Sequence, residues 1–101
     1  MDMIVYIASP YSSNPEEGVE KQIDAFNSLM TLHTPIAPLL FHYVDKKYPH
    51  HYEEWMEICF QYIKLCDVVL RLPGYSPGAD REINFARSLG KEIVYDVNLL
   101  S

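Results

Sequence analysis

Two uninterrupted apolar runs constrain this fold more than any other feature. Met3-Ile4-Val5-Tyr6-Ile7-Ala8 and Val68-Val69-Leu70 are rich in β-branched residues and do not alternate with polar ones. Strands of that kind are buried on both faces, as in a parallel sheet covered by helices on either side. Helical patterns lie between them. Ser9-Pro10 ends the first run and opens a polar loop to Asn14. Asn14-Pro15-Glu16-Glu17 then supplies an N-cap, a proline at the first helical position and acids at the positive helix end. Val19, Ile23, Phe26 and Met30 recur at helical spacing, so this helix is expected to bury that stripe and expose Glu20, Lys21 and Gln22, with Gly18 a weak point.

Pro35-Ile36-Ala37-Pro38-Leu39-Leu40 reads as a short second strand that its prolines confine to a sheet edge or make irregular. From Phe41 to Tyr52 the chain carries Tyr43, Tyr48, His42, His50 and His51 with little periodicity, which predicts a long connection of the functional or interface kind. Trp55, Ile58, Cys59, Tyr62 and Cys66 mark a second amphipathic helix leading into a strand from Asp67 to Leu72. A last helix from Ala79 to Leu89 stops at Gly90, the residue a helix C-terminus favours, and Glu92-Ile93-Val94-Tyr95 supplies the final strand. The order β-α-β-α-β-α-β implies right-handed crossovers and a parallel sheet, giving one α/β domain over residues 1–101.

A chain of 101 residues has room for a single core. Its formal charge of −6, with only eight Lys and Arg, argues against a nucleic-acid polymer or an anionic membrane as partner. No apolar run reaches the ~18 residues of a membrane span, and no secretory leader pattern is visible. Cys59 and Cys66 lie two helical turns apart, too distant to bridge, which fits a reducing, cytoplasmic setting. His42, His50 and His51 lack the spacing of a zinc site, so neither metal nor cofactor is expected.

The chemistry is expected around Glu82. It follows Val68-Val69-Leu70 and sits one turn inside a helix opened by Ser76-Pro77-Gly78. Open α/β sheets bind ligands beyond the carboxyl ends of their strands, where helix N-termini offer N–H groups to anions. Glu82 is therefore a candidate nucleophile, although a glutamate in a second helical turn is ordinarily a solvated residue favoured by the helix dipole. Ser76-Pro77-Gly78 is likewise an ordinary capped helix start, a reading compatible with phosphate binding. Tyr6 is equally a buried strand aromatic by pattern, and Trp55, Met56 and Tyr62 have the spacing of a common helix face.

Three segments together, Tyr6-Ile7-Ala8-Ser9-Pro10-Tyr11-Ser12, then Trp55 with Cys66-Asp67, then Leu72-Pro73-Gly74-Tyr75-Ser76-Pro77-Gly78 leading to Glu82 and Ala86, resemble the nucleoside 2-deoxyribosyltransferase-like superfamily over nearly the whole chain. They are closest to its small phage and bacterial members. The resemblance implies a flavodoxin-like, or Rossmann-like, parallel sheet of about four or five strands flanked by helices. It also implies a glutamate, matched by Glu82, that attacks the anomeric carbon of a 2′-deoxynucleoside or nucleotide and releases the base through a covalent intermediate. Transfer to a second base would make a deoxyribosyltransferase, and transfer to water an N-glycosidase.

Ser76, six residues before Glu82, and Gly78 match relatives that act on 5′-monophosphates, whereas an aspartate at the serine position accompanies free nucleosides. Tyr6 matches the tyrosine that positions the nucleophile, and Ser9 lies in the loop that frames sugar or phosphate. Arg81 adds positive charge nearby. Relatives usually carry, where this chain has Cys59 on the middle helix, an aspartate that contacts the sugar or protonates the leaving base, and a thiol is a poor substitute for a general acid that contributes ~10²-fold or more. Glu57 and Asp80 are the nearest alternatives. The expected set is thus Glu82 and Tyr6 for catalysis, with Ser9, Trp55, Cys59, Ser76, Gly78, Asp80 and Arg81 for the substrate. The alternative expectation is a non-catalytic nucleotide-binding protein that retains the pocket. A homo-oligomer is expected either way, because members of the superfamily commonly pair through helices; a structural module with its contacts at Tyr43 to Tyr52 is a weaker third reading.

Overall fold

The computed structural model describes residues 2–10, 15–38 and 40–100. Tyr11, Ser12, Asn14 and Leu39, which figure in the expectations above, lie outside the described residues. The elements run β1 (Ile4–Ala8), α1 (Pro15–Leu29), β2 (Thr34–Ile36), α2 (Leu40–Lys47), α3 (Tyr52–Leu65), β3 (Val68–Arg71), α4 (Pro77–Ser88) and β4 (Glu92–Val94), followed by a 3-10 turn at Val97–Leu100. The sheet order is β2-β1-β3-β4 and every pairing is parallel. This is the α/β architecture that the apolar runs imply.

Alternate residues of β1 explain why that strand has no polar face. Val5 and Ile7 pack with Val68, Leu70, Val94, Leu100 and the α1 residues Ala25 and Leu29. Tyr6 and Ala8 point the other way, into a cluster with Cys59 and Ile63 of α3 and Ile83 and Ala86 of α4. Each face is covered by helix, so both sets gain from leaving water. His33 ties the sheet's lower end together: its Nδ1 accepts from the Met3 N–H at 3.2 Å and its Nε2 donates to the Leu100 carbonyl. Asp67 does the same between the central strands, its carboxylate accepting from the Ile4 N–H at 2.8 Å.

Four expectations need correction. The buried stripe of α1 is Val19, Gln22, Ala25 and Leu29, while Ile23 and Met30 are 44% and 56% exposed. The stripe lies one residue off the most hydrophobic one because Gln22 has a polar partner inside. Strand β2 is only Thr34–Ile36, at the edge, with Pro35 opposite Val5. The segment after it is no irregular connection, since Leu40–Lys47 forms α2, a helix closed by Lys46 and Lys47 where the dipole favours cations. In α3 the buried residues are Met56, Cys59 and Ile63; Ile58 is largely exposed, and Cys66 falls at the helix C-cap.

Helix α4 ends as its glycine requires. Gly90 adopts φ 74°, the Lys91 N–H reaches the Ala86 carbonyl and the Gly90 N–H reaches that of Arg87, which is the paired closure of a helix C-terminus. Among the described residues no helix is long and apolar enough to cross a membrane.

Candidate functional site

The strand order reverses direction between β1 and β3, since the chain steps from β1 to β2 on one side and from β3 to β4 on the other. Sheets of this kind open a crevice at that switch point, beyond the strands' carboxyl ends. A cavity of about 310 Å³ lies there, lined by Tyr6 and Ser9 from β1 and its exit, Gln22 from α1, Pro38, the α3 residues Tyr52, Trp55, Met56 and Cys59, and the α4 start Ser76 to Ala79 with Glu82.

Glu82 is 7% exposed and accepts a hydrogen bond from the Tyr6 hydroxyl, itself wholly buried. The Cys59 thiol lies close enough to interact with the same carboxyl. Burial raises the Glu82 pKa to about 7, against the lowering effect of Tyr6, of Cys59 and of the Arg71 charge. Burial also pushes the Cys59 thiol up to about 12, with the Glu82 charge adding to the effect, and holds the Tyr6 phenol well above its ordinary value. Near neutrality the site therefore holds one carboxyl poised between its two states, beside a phenol and a thiol that both keep their protons.

The α4 start is set by its cap. Ser76 is extended (φ −162°), and its Oγ accepts from the Ala79 N–H at 3.1 Å, leaving the hydroxyl proton free to donate. Pro77 has no N–H, and the Gly78 N–H at the second helical position has no intrahelical acceptor. Gly78 also admits the Tyr52 hydroxyl, which would stand 2.9 Å from a Cβ there. The preceding loop is organised from below by Arg71, whose guanidinium donates to the carbonyls of Leu72 and Gly74 and to Asp80 at 3.1 Å. Trp55 forms one wall; it stacks on Phe41 at 5.0 Å between centroids and donates its indole N–H to Asp45 at 2.7 Å.

Seven of the nine residues expected from the sequence, Tyr6, Ser9, Trp55, Cys59, Ser76, Gly78 and Glu82, thus meet in one cavity. Two do not. Arg81 turns outward to a two-pronged ion pair with Glu53 at 2.8 and 3.1 Å, which raises its pKa further, and lies over the Tyr52 ring. Asp80 lines a separate depression of about 510 Å³ with Arg71, Asn84, Arg87 and Tyr95. Glu57 is exposed and lines neither, so among the described residues Glu82 is the one carboxyl lining this cavity. Gln22 and Tyr52 were not anticipated. A polar residue set between Val19 and Ala25 on the buried face of α1 was the available signal for Gln22; Tyr52 had none beyond its place at a helix start. No group of three or more His, Cys, Asp or Glu able to hold a metal ion occurs among the described residues.

With this geometry in view, two solved structures share the fold. The 2-deoxyribosyltransferase of Bacillus psychrosaccharolyticus matches 89% of this chain and 69% of its own with a TM-score of 0.58 at 23% identity. The CMP N-glycosidase BcmB of Clostridium botulinum matches 97% and 82%, with a TM-score of 0.60 at 20% identity. The chain shares its α/β fold with both. Residues 3–95 match the family described as domain of unknown function DUF4406, and the chain belongs to that family. No curated protein matches it.

Proposed function

We propose that this protein cleaves or transfers the N-glycosidic bond of a 2′-deoxynucleotide, with Glu82 as nucleophile. The observation that carries the reading is the buried Glu82 carboxyl, held by the Tyr6 hydroxyl in a cavity at the sheet's switch point. A Glu82 oxygen would bond to C1′ as the C1′–N bond breaks, and the bonding pair would leave with the base, which then takes up a proton. Water attacking C1′ would release the sugar and restore the carboxylate; a second base in place of water would make the reaction a transfer. Tyr6 suits the role of positioning residue, because a neutral phenol donates to the carboxylate and favours its ionised, nucleophilic form.

A 5′-phosphate fits the α4 start, where Ser76 and Gly78 line the cavity at the positive end of a helix. Among the described residues no Lys or Arg lines the cavity, so phosphate binding here relies on neutral donors and the helix dipole. The same fold serves the deoxyribosyltransferase and CMP N-glycosidase named above, which supports this substrate class. One observation favours a second reading, a nucleotide-binding protein without turnover: Cys59 occupies the position where a general acid would aid the leaving base, and its thiol keeps its proton.

The test is incubation with a panel of 2′-deoxynucleoside 5′-monophosphates and the matching nucleosides, following free base by chromatography beside Glu82→Gln. Base release by the wild type alone supports the enzyme. A nucleotide that raises the melting temperature of both proteins while no base appears supports the binding protein. A panel that does neither overturns both readings.

A further inference from the structure

Gln22 is the least expected residue of the cavity. It is 1% exposed, and its Nε2 donates to the Ser9 Oγ at 2.7 Å. Its Oε1 has no hydrogen-bond partner, the one such buried side-chain atom among the described residues. Buried polar atoms are almost always paired, since leaving one unpaired costs about as much as a lost hydrogen bond. Both members of the Gln22–Ser9 pair line the cavity. Because Ser9 Oγ already accepts from the amide, its own proton is free. The pair therefore offers a ligand one acceptor and one donor side by side.

We propose that the Gln22 carboxamide is a specificity-determining group, whose Oε1 accepts a hydrogen bond from an O–H or N–H of the bound nucleotide. The inference rests on the nucleotide reading of the cavity and adds a requirement to it. A ligand with a donor at this point pairs a buried acceptor that is otherwise unsatisfied. One lacking the donor leaves the acceptor buried and unpaired, and sites built this way reject such analogues strongly. Two parts of a nucleotide carry suitable donors: the sugar, through a ring hydroxyl, and the base, through a ring N–H. Ser9 would donate to the same hydroxyl, or to the carbonyl adjoining the N–H.

The experiment measures dissociation constants by calorimetry for wild type and Gln22→Met, a variant of similar length without hydrogen-bonding atoms, each in the Glu82→Gln background to prevent turnover. Two ligand pairs each differ by one donor: a 2′-deoxynucleoside 5′-monophosphate against its 2′,3′-dideoxy form, and thymidine 5′-monophosphate against its N3-methyl form. The expected result is that one pair differs about tenfold or more with Gln22 present and about equally little with Met. The pair that behaves so assigns the donor to sugar or base. Ser9→Ala, which keeps the acceptor, should preserve most of that discrimination. Should Gln22→Met fail to fold, the wild-type affinities decide alone, since indifference to both donors overturns the inference. Equal binding of all four ligands by both proteins, or a uniform loss in the variant, overturns it while leaving the nucleotide reading intact. Absence of any nucleotide binding removes both together.

Discussion

The Tyr6 hydroxyl on the central strand donates to the Glu82 carboxyl on α4 across 76 residues of sequence, in the interior of the protein. The contact joins the two parts of the chain to which the proposed chemistry is assigned. It also works against burial, because a donor to a carboxylate stabilises the ionised form that a low-dielectric site disfavours. In Tyr6→Phe the ring still fills its place, but that stabilisation is gone. The pH midpoint for base release should move upward from about 7 by roughly one unit or more, since a hydrogen bond to a charged group is worth ~1.5–3 kcal/mol. A pH–rate profile that does not move would remove Tyr6 from the site.

Stability should carry the same signature. A carboxyl whose pKa is higher folded than unfolded holds its proton more tightly in the native state. Its contribution is full below about 4.5 and is lost as pH rises through about 7. The difference amounts to about 3 kcal/mol at most. In urea titrations at pH 5 and pH 8, wild type should lose stability relative to Glu82→Gln by up to that amount. The paired exposed acids Asp45, Glu53 and Glu54 have lowered pKa values and act in the opposite direction, but they are common to both proteins and cancel. Identical pH dependence in the two proteins would mean that Glu82 is not buried as described.

How much of this was legible follows from where each signal lies. Ser76, Gly78 and Glu82 sit in one strand-loop-helix unit, so local chemistry placed them: a cap, a first-turn proline and a residue one turn in. Tyr6 was legible as a strand residue, yet its partnership with Glu82 is a tertiary contact that no spacing records. Gln22 was misplaced because Ile23 and Met30 are more hydrophobic than the residues α1 actually buries, and a polar side chain enters a core only when something there can pair with it. Helix α2 escaped notice because Leu40–Lys47 is barely two turns long and rich in His, Tyr and Lys. It is held partly from outside, through His42 to Glu16 of α1 at 3.1 Å and Asp45 to Trp55 of α3. Arg81 and Asp80 are neighbours of Glu82 in sequence but point away from the cavity, as residues one or two positions off on a helix must.

The loop ahead of α4 should depend on Gly74 more than the helix end depends on Gly90. Gly74 has φ 124°, a conformation disfavoured for L side chains, and a Cβ there would stand 2.8 Å from Pro10 Cγ. Gly90 has φ 74° with open space around it. Gly90→Ala should cost about 1 kcal/mol from backbone strain alone. Gly74→Ala should cost more, about 2–3 kcal/mol, and should weaken nucleotide binding too, because the Gly74 carbonyl is an anchor for Arg71. Chemical denaturation of the two variants checks the order, and equal costs would show that the Pro10 contact yields freely.

Cys59 offers a way to ask whether the missing acid limits turnover. Its thiol lies beside the Glu82 carboxyl and, pushed up to about 12, is too weak an acid to protonate a departing base near neutrality. In Cys59→Asp, two buried carboxyls would share the site, and close carboxyls titrate as a pair in which one keeps its proton while the other ionises. That supplies both an ionised nucleophile and a proton donor at the same pH. Base release should rise on the order of 10²-fold, at some loss of stability from the added buried carboxyl. Cys59→Asn has nearly the same shape and cannot titrate, so it should gain nothing. Equal rates for the Asp and Asn variants would show that the leaving base is not protonated from this position, and that the thiol is there for packing.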